Sequence, residues 1–501
     1  MTDSMKILFF YIGTPSPILE TELELIKKHE KLGDDILVLQ CAGELPSCHW
    51  NIGHNNSQCA RCRSKFENGW KVLNPGANVT RKNFPSKTIS DISFPTTFKS
   101  VDEINNFQHD TEYVGFGVTA SLVSILRDHR FDTEKYQAEI KRGLTTAVQV
   151  YDALKSEIHE FKPDRIYLFN GRIATHLPAK LLCQKLGIEY YSYEVSRKNN
   201  NYRLLSNKVN HDVVPPEEVR EMESHWSPEQ ELLGTSILER MRFGGDIGKT
   251  KTFTQGQREG LLPRDFDPEK RNIAIFNSTI DEYVGIQNSN NKIYQPDETA
   301  GVCKILESFA SDSRFYFYLR THPHMKEVPS TTSQLVDIRE LEKKFSNVRV
   351  IWPEEEVDTY ALLSACEKIV TFGSTVGIEA TFWGKPSILA DKAKYENFGY
   401  AYRPDSHEEL VALLQDELAP MPRDSAAKIL YSVSVDGIPY EYFRETGSKN
   451  GLTVGTFDGA VIEASIVPRL GYWLSLFPVR LGRVLRNPSL VLHKFKSLMN
   501  A

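Results

Sequence analysis

The sequence predicts an α/β fold of two facing Rossmann-like domains, and two patterns predict it. Short apolar runs of strand length alternate with amphipathic helical stretches in both halves, as βαβ units require. The alternation lapses in a polar stretch at about 249–267 and then restarts, which divides the 501 residues into two domains with a cleft between them. A third observation places a ligand in that cleft. Two strand ends of the second half carry phosphate-friendly side chains, and ligands of open α/β sheets sit at that carboxyl edge.

The first run, residues 6–12, reads as a buried parallel strand, followed by a helix at 18–32 and a second strand at 35–41. A polar, cysteine-bearing insert then occupies about 41–106. Helices resume over 118–160, with an apolar stripe of Leu144, Val148, Tyr151 and Leu154. The strand at 165–169 ends in Asn170-Gly171-Arg172, and a helix at 175–186 leads through Gly187 into the strand at 188–193, which ends at Glu194. A charged helical stretch, 217–243, completes the first domain, assigned to 1–260. In the second domain, 261–430, strands are expected at 272–276, 315–319, 348–352, 369–372 and 386–389, with helices between them. Residues 431–501 form a C-terminal extension with amphipathic basic helices.

Lys+Arg 60 against Asp+Glu 66 gives a net charge of −6, which argues against a nucleic-acid partner. Met1-Thr2-Asp3-Ser4-Met5-Lys6 runs directly into a strand, and no apolar run approaches the ~20 residues of a membrane span. A cytoplasmic location is therefore expected, where the sequon Asn277-Ser278-Thr279 has no meaning for glycosylation.

The most informative stretch is Thr371-Phe372-Gly373-Ser374-Thr375-Val376-Gly377-Ile378-Glu379. A strand end opening through Gly-Ser-Thr into a helix, expected to begin at Ser374, points backbone N–H groups and a positive dipole end at one spot. Ser374 and Thr375 add hydroxyl donors, and Glu379, about one turn in, could accept both hydroxyls of a ribose. An ordinary N-capped turn shares this sequence. Arg320-Thr321-His322-Pro323-His324, at the end of another strand, tips the balance toward a phosphate site. There His322, Ser374 and Thr375 would stabilise a departing phosphate, with Arg320 as a charge-assisted partner. Proline after His322 keeps that residue extended. Asn277, Ser278 and Thr279 either line the cleft or form a polar turn ahead of Asp281 and Glu282. For a general base the candidate is Glu194, with an ion pair to Arg172 or Arg197 as the competing reading and Asp128, Asp281 and Glu282 as lesser candidates. Asn170 and Arg172 fall on the acceptor side. A single carboxylate base would give a single-displacement, inverting reaction.

Cys41, Cys48, Cys59 and Cys62 fall within 22 residues as C-x6-C-x10-C-x2-C, with His49 and His54 among them. In a reducing compartment such a cluster suits a structural zinc ion that holds the insert together, or else independent thiols. From Ala464 onward there is no acidic residue but there are Arg469, Arg480, Arg483, Arg486, Lys494 and Lys496 among many apolar ones. That tail reads as a segment lying on an anionic leaflet, or as one that packs back across the first domain.

Taken together, the segments 168–172, 191–194, 275–283, 319–324 and 373–386 resemble bacterial capsular and surface polysaccharide biosynthesis glycosyltransferases of the GT-B fold. The His-Pro and Ser/Thr pairing is similar to that of sialyltransferases, Kdo transferases and glycerophosphate transferases, which act on cytidine nucleotides. The resemblance implies a nucleotide-sugar donor in the second domain, with a CMP-sugar as one candidate, and no catalytic metal. It also implies a glycan acceptor on a lipid carrier in the first domain, and a place on the inner face of the membrane. A phosphoryl-sugar transferase and a non-catalytic scaffold of capsule assembly are the competing readings.

Overall fold

Residues Ile7, Phe9 and Tyr11 of β1 (Lys6–Tyr11) bury themselves on one face of a sheet, while Leu8, Phe10 and Ile12 bury themselves on the other. A strand apolar on both faces belongs in the middle of a parallel sheet covered by helices, and β1 takes that place. The computed structural model describes residues 4–85, 92–210, 212–245, 247, 249, 254, 256–279, 293–449 and 452–475. Its first sheet also contains β2 (Asp35–Gln40), β3 (Val79–Asn83), β4 (Arg165–Phe169), β5 (Glu189–Val195) and β6 (Asn201–Ser206). β5, β4, β1, β2 and β3 are parallel neighbours, and β6 runs antiparallel beside β5.

The second sheet is wholly parallel. It comprises β7 (Arg271–Phe276), β8 (Phe315–Arg320), β9 (Val348–Ile351), β10 (Lys368–Thr371) and β11 (Ser387–Leu389), in the order β11-β10-β7-β8-β9. Phe276 is in register with both Arg320 and Thr371, so the ends of β7, β8 and β10 share one carboxyl edge. Two doubly wound units face each other across a cleft, the GT-B arrangement.

One segment sits elsewhere than the sequence reading puts it. The helices Pro216–Ser224 and Pro228–Phe243, grouped there with the first domain, pack on the second: Val219, Ile237 and Leu238 join Ile378, Phe382 and Leu389 in one core. The C-terminal extension returns to the first domain. β12 (Ile438–Pro439) adds to the edge of β6, and the hairpin of β13 (Phe443–Lys449) and β14 (Leu452–Phe457) drives Phe443 and Phe457 into the core beside Leu19 and Leu23. The helix Ile466–Ser475 then lies against the helix Asn56–Leu73. Residues 476–501 of the basic tail lie outside the described residues.

Three consecutive residues of the first domain clasp the second. Asp128 accepts the backbone N–H of Ser333 (3.3 Å) and its hydroxyl, at the start of the helix Ser333–Lys344. His129 Nε2 meets Asp297 Oδ2 at 2.9 Å, and Arg130 pairs with Asp337. Asp128 therefore caps a helix across the domain interface and is absent from the cavity described below, which removes it as a base. Asp128→Ala is expected to lower stability by about 1 kcal/mol and to broaden the small-angle scattering profile of the ligand-free protein. Unchanged melting and scattering would show that the clasp does not hold the domains.

Candidate functional site

A cavity of about 500 Å³ opens between the domains, within the range of ligand pockets. The carboxyl edge of the second sheet forms one wall: Phe276, Asn277 and Ser278 after β7, Arg320 and His322 after β8, and Gly373, Ser374 and Thr375 after β10. Opposite stand Val195, Arg197 and Arg203 of the first domain, with Lys394 and Asp436. Most residues singled out by sequence thus converge: Asn277, Ser278, Arg320, His322, Ser374, Thr375 and Glu379 all line it.

Each strand end is built for its position. Gly373 has φ +94°, the left-handed conformation that turns the chain out of β10. The helix starts at Val376, two residues later than expected, because Ser374 and Thr375 form the turn: their carbonyls accept Gly377 N–H (3.3 Å) and Ile378 N–H (3.0 Å). His322 is extended, φ −61° and ψ 135°, as proline after it requires. Its backbone N–H donates to Asn277 Oδ1 (2.9 Å), and its Nδ1 accepts the His324 N–H (3.2 Å). An Nδ1 that accepts leaves the proton of the neutral ring on Nε2, so His322 presents a hydrogen-bond donor rather than a base.

Arg320 is the decisive side chain. It is 4 % exposed, and among the described residues its Nη1 has no hydrogen-bond partner. Burial pulls its pKa below the ordinary arginine value, against the opposing charges of Glu355 and Asp358. A buried, incompletely paired guanidinium is costly, and it sits on a cavity wall beside donors.

Glu379 is 8 % exposed, and burial pushes its carboxyl up to about 7. Tyr360, which the sequence reading did not single out, donates its hydroxyl to Glu379 Oε2. On the opposite wall Lys394 is pushed down to about 7 by burial and by Arg203, with Asn210 Oδ1 accepting from it at 3.1 Å. Asp436 pairs with Arg203.

Other candidates lie off the lining. Glu194 accepts Asn170 Nδ2 at 2.6 Å; burial pushes its carboxyl up, against the opposing pull of this bond, Arg172, Arg203 and Lys394. Alternation along β5 explains why: Val195, not Glu194, faces the cavity. Thr279 is buried away from it, and Ser278, though at the wall, gives its hydroxyl to Glu298 Oε2 (2.7 Å). Asp281 and Glu282 fall outside the described residues.

The four clustered cysteines lie along the insert. Burial pushes the thiols of Cys41 (to about 11), Cys48, Cys59 and Cys62 up, and Cys59 accepts Asn51 Nδ2 at 3.2 Å. Among the described residues no group of three or more His, Cys, Asp or Glu is arranged to hold a metal ion. No described helix is long and apolar enough to cross a membrane.

No curated protein matches the chain. Among solved structures, the beta Kdo 2,4 transferase of Thermosulfurimonas dismutans KpsC shares 14% identity at a TM-score of 0.36, over 59% of this chain and 85% of its own. The beta Kdo 2,7 transferase of the same KpsC shares 10% at 0.32, over 61% and 86%. The UDP-GlcNAc 2-epimerase of Neisseria meningitidis, bound to UDP-GlcNAc, shares 12% at 0.27, over 85% and 98%. Residues 281–442, which build the Arg320, His322, Ser374 and Thr375 wall, match the model of the family described as capsule polysaccharide biosynthesis protein, so the resemblance carried by the motifs holds over this segment.

Proposed function

We propose that this chain is a glycosyltransferase of capsule polysaccharide assembly that binds a nucleotide-sugar in the interdomain cavity. The observation that carries the reading is buried Arg320, its Nη1 without a hydrogen-bond partner among the described residues, on one wall with His322, Ser374 and Thr375. These groups supply the charge and donors that a departing nucleotide phosphate needs. The first-domain wall takes the acceptor. Glu194, the base expected from the sequence, is held by Asn170 at 2.6 Å and faces away from the cavity, so it is not assigned that role. The reading is of a single displacement that requires no catalytic metal.

The membrane contact is assigned to the C-terminal extension. Ile466 and Val467 are 71% and 79% exposed on the first helix of the basic tail, and that tail contains no acidic residue. Such a surface suits an anionic inner leaflet carrying a lipid-linked glycan.

The test is a thermal-shift series with CMP, CDP, UDP, GDP and ADP. A nucleotide held at 100 times its Kd raises stability by about 2.7 kcal/mol. The expected result is a shift for one base, and no shift for any would overturn the proposal. With the donor so identified, His322→Ala is expected to slow transfer about 100-fold without lowering the melting temperature, and His322→Gln, which keeps a donor, less so. Full activity of His322→Ala would remove the residue from the mechanism.

A further inference from the structure

Tyr360 stands in the first turn of the helix Thr359–Ala365, and three groups fix it there. Its backbone N–H donates to Asp358 Oδ1 (2.9 Å), which caps the helix. The Arg242 guanidinium lies 5.1 Å from its ring and 4.5 Å from that of Trp383. Its hydroxyl donates to Glu379 Oε2. Both Tyr360 and Glu379 line the cavity, on the same wall as Ser374 and Thr375.

We propose that Tyr360 is a positioning residue for ribose recognition: by occupying Glu379 Oε2 it fixes the carboxylate so that its remaining acceptor capacity serves the vicinal hydroxyls of a ribonucleotide. This rests on the nucleotide-binding reading above and adds its selectivity for ribose. An ionised carboxylate accepts from both hydroxyls, whereas a protonated one offers a donor in place of an acceptor. Burial holds Glu379 near neutrality, and burial together with the Glu379 charge keeps Tyr360 protonated, so the hydrogen bond runs from tyrosine to glutamate throughout. The bond also favours the ionised carboxylate, because it lowers the Glu379 pKa against burial. Affinity should therefore fall as the pH drops through about 7, and removal of the tyrosine hydroxyl should move that fall to higher pH.

Calorimetric titration with CMP, or with whichever nucleotide of the series above shifts melting, and with its 2′-deoxy counterpart, tests this between pH 6 and 9. The wild type is expected to prefer the ribonucleotide by about tenfold, the worth of one charge-assisted hydrogen bond. Tyr360→Phe should lose most of this preference and move the pH midpoint upward, and Glu379→Gln should abolish the pH dependence. Unchanged preference and unchanged midpoint in Tyr360→Phe, while Arg320→Met still abolishes binding, would overturn the role of Tyr360 alone. Binding that survives Arg320→Met would instead overturn the site itself.

Discussion

Arg320→Met is expected to make the ligand-free protein more stable and to abolish nucleotide binding. Methionine keeps much of the apolar bulk of the arginine stem and removes a guanidinium that is 4 % exposed, with an Nη1 that has no hydrogen-bond partner among the described residues. Relief of that desolvation is worth about 1–3 kcal/mol, which for a domain of this size raises the melting temperature by several degrees. The same change removes the charge and the donors that face the phosphate, so binding should fall at least 100-fold. The two effects have opposite signs only if the charge serves a ligand rather than the fold. A less stable Arg320→Met protein that still binds nucleotide would mark Arg320 as structural.

The second large effect concerns Glu24, which ties the C-terminal extension to the first domain. Its fully buried carboxylate accepts the backbone N–H groups of Glu441 (2.7 Å), Tyr442 (2.8 Å) and Phe443 (3.1 Å), with Lys28 Nζ at 3.0 Å. Glu24→Ala leaves those three N–H groups and a lysine without their acceptor where Phe443 enters the core. A loss of about 3 kcal/mol is expected, together with faster tryptic cleavage after Arg444 and Lys449. Since Asp436 of the cavity wall lies five residues before Glu441, ligand binding should weaken in parallel. Wild-type melting and wild-type proteolysis would show that the extension is held by its hairpin alone.

The strands and their order along the chain were legible because each interior strand is a short, near-continuous apolar run, the signature of a parallel strand covered on both faces. β3, β6, β12 and the β13–β14 hairpin were not. β3 is a mostly exposed parallel edge strand inside the insert, while β6 and the exposed β12 are antiparallel additions at the other edge, and β12 pairs with residues more than two hundred positions earlier. The helices at 216–243 carry an apolar stripe, but a stripe does not say which sheet it will meet, and theirs meets the second. In the site, the strand ends at Arg320–His322 and Ser374–Thr375 were readable because parallel topology puts every such end on one edge. The direction of Glu194 was not, since one residue of register exchanges the two faces of a strand. Tyr360, Lys394 and Asp436 reach the cavity from a helix start, a loop and a domain crossing, none of which has a local signature. Lys394 alone left a trace, as a cation shortly after the predicted strand at 386–389.

The measurement that bears most directly on the whole account is calorimetric titration of the intact chain with the nucleotide selected by thermal shift, in parallel with Arg320→Met. Saturable binding of one nucleotide per chain is expected in the wild type and none in the variant. Equal affinity in both, or binding by neither, would contradict it.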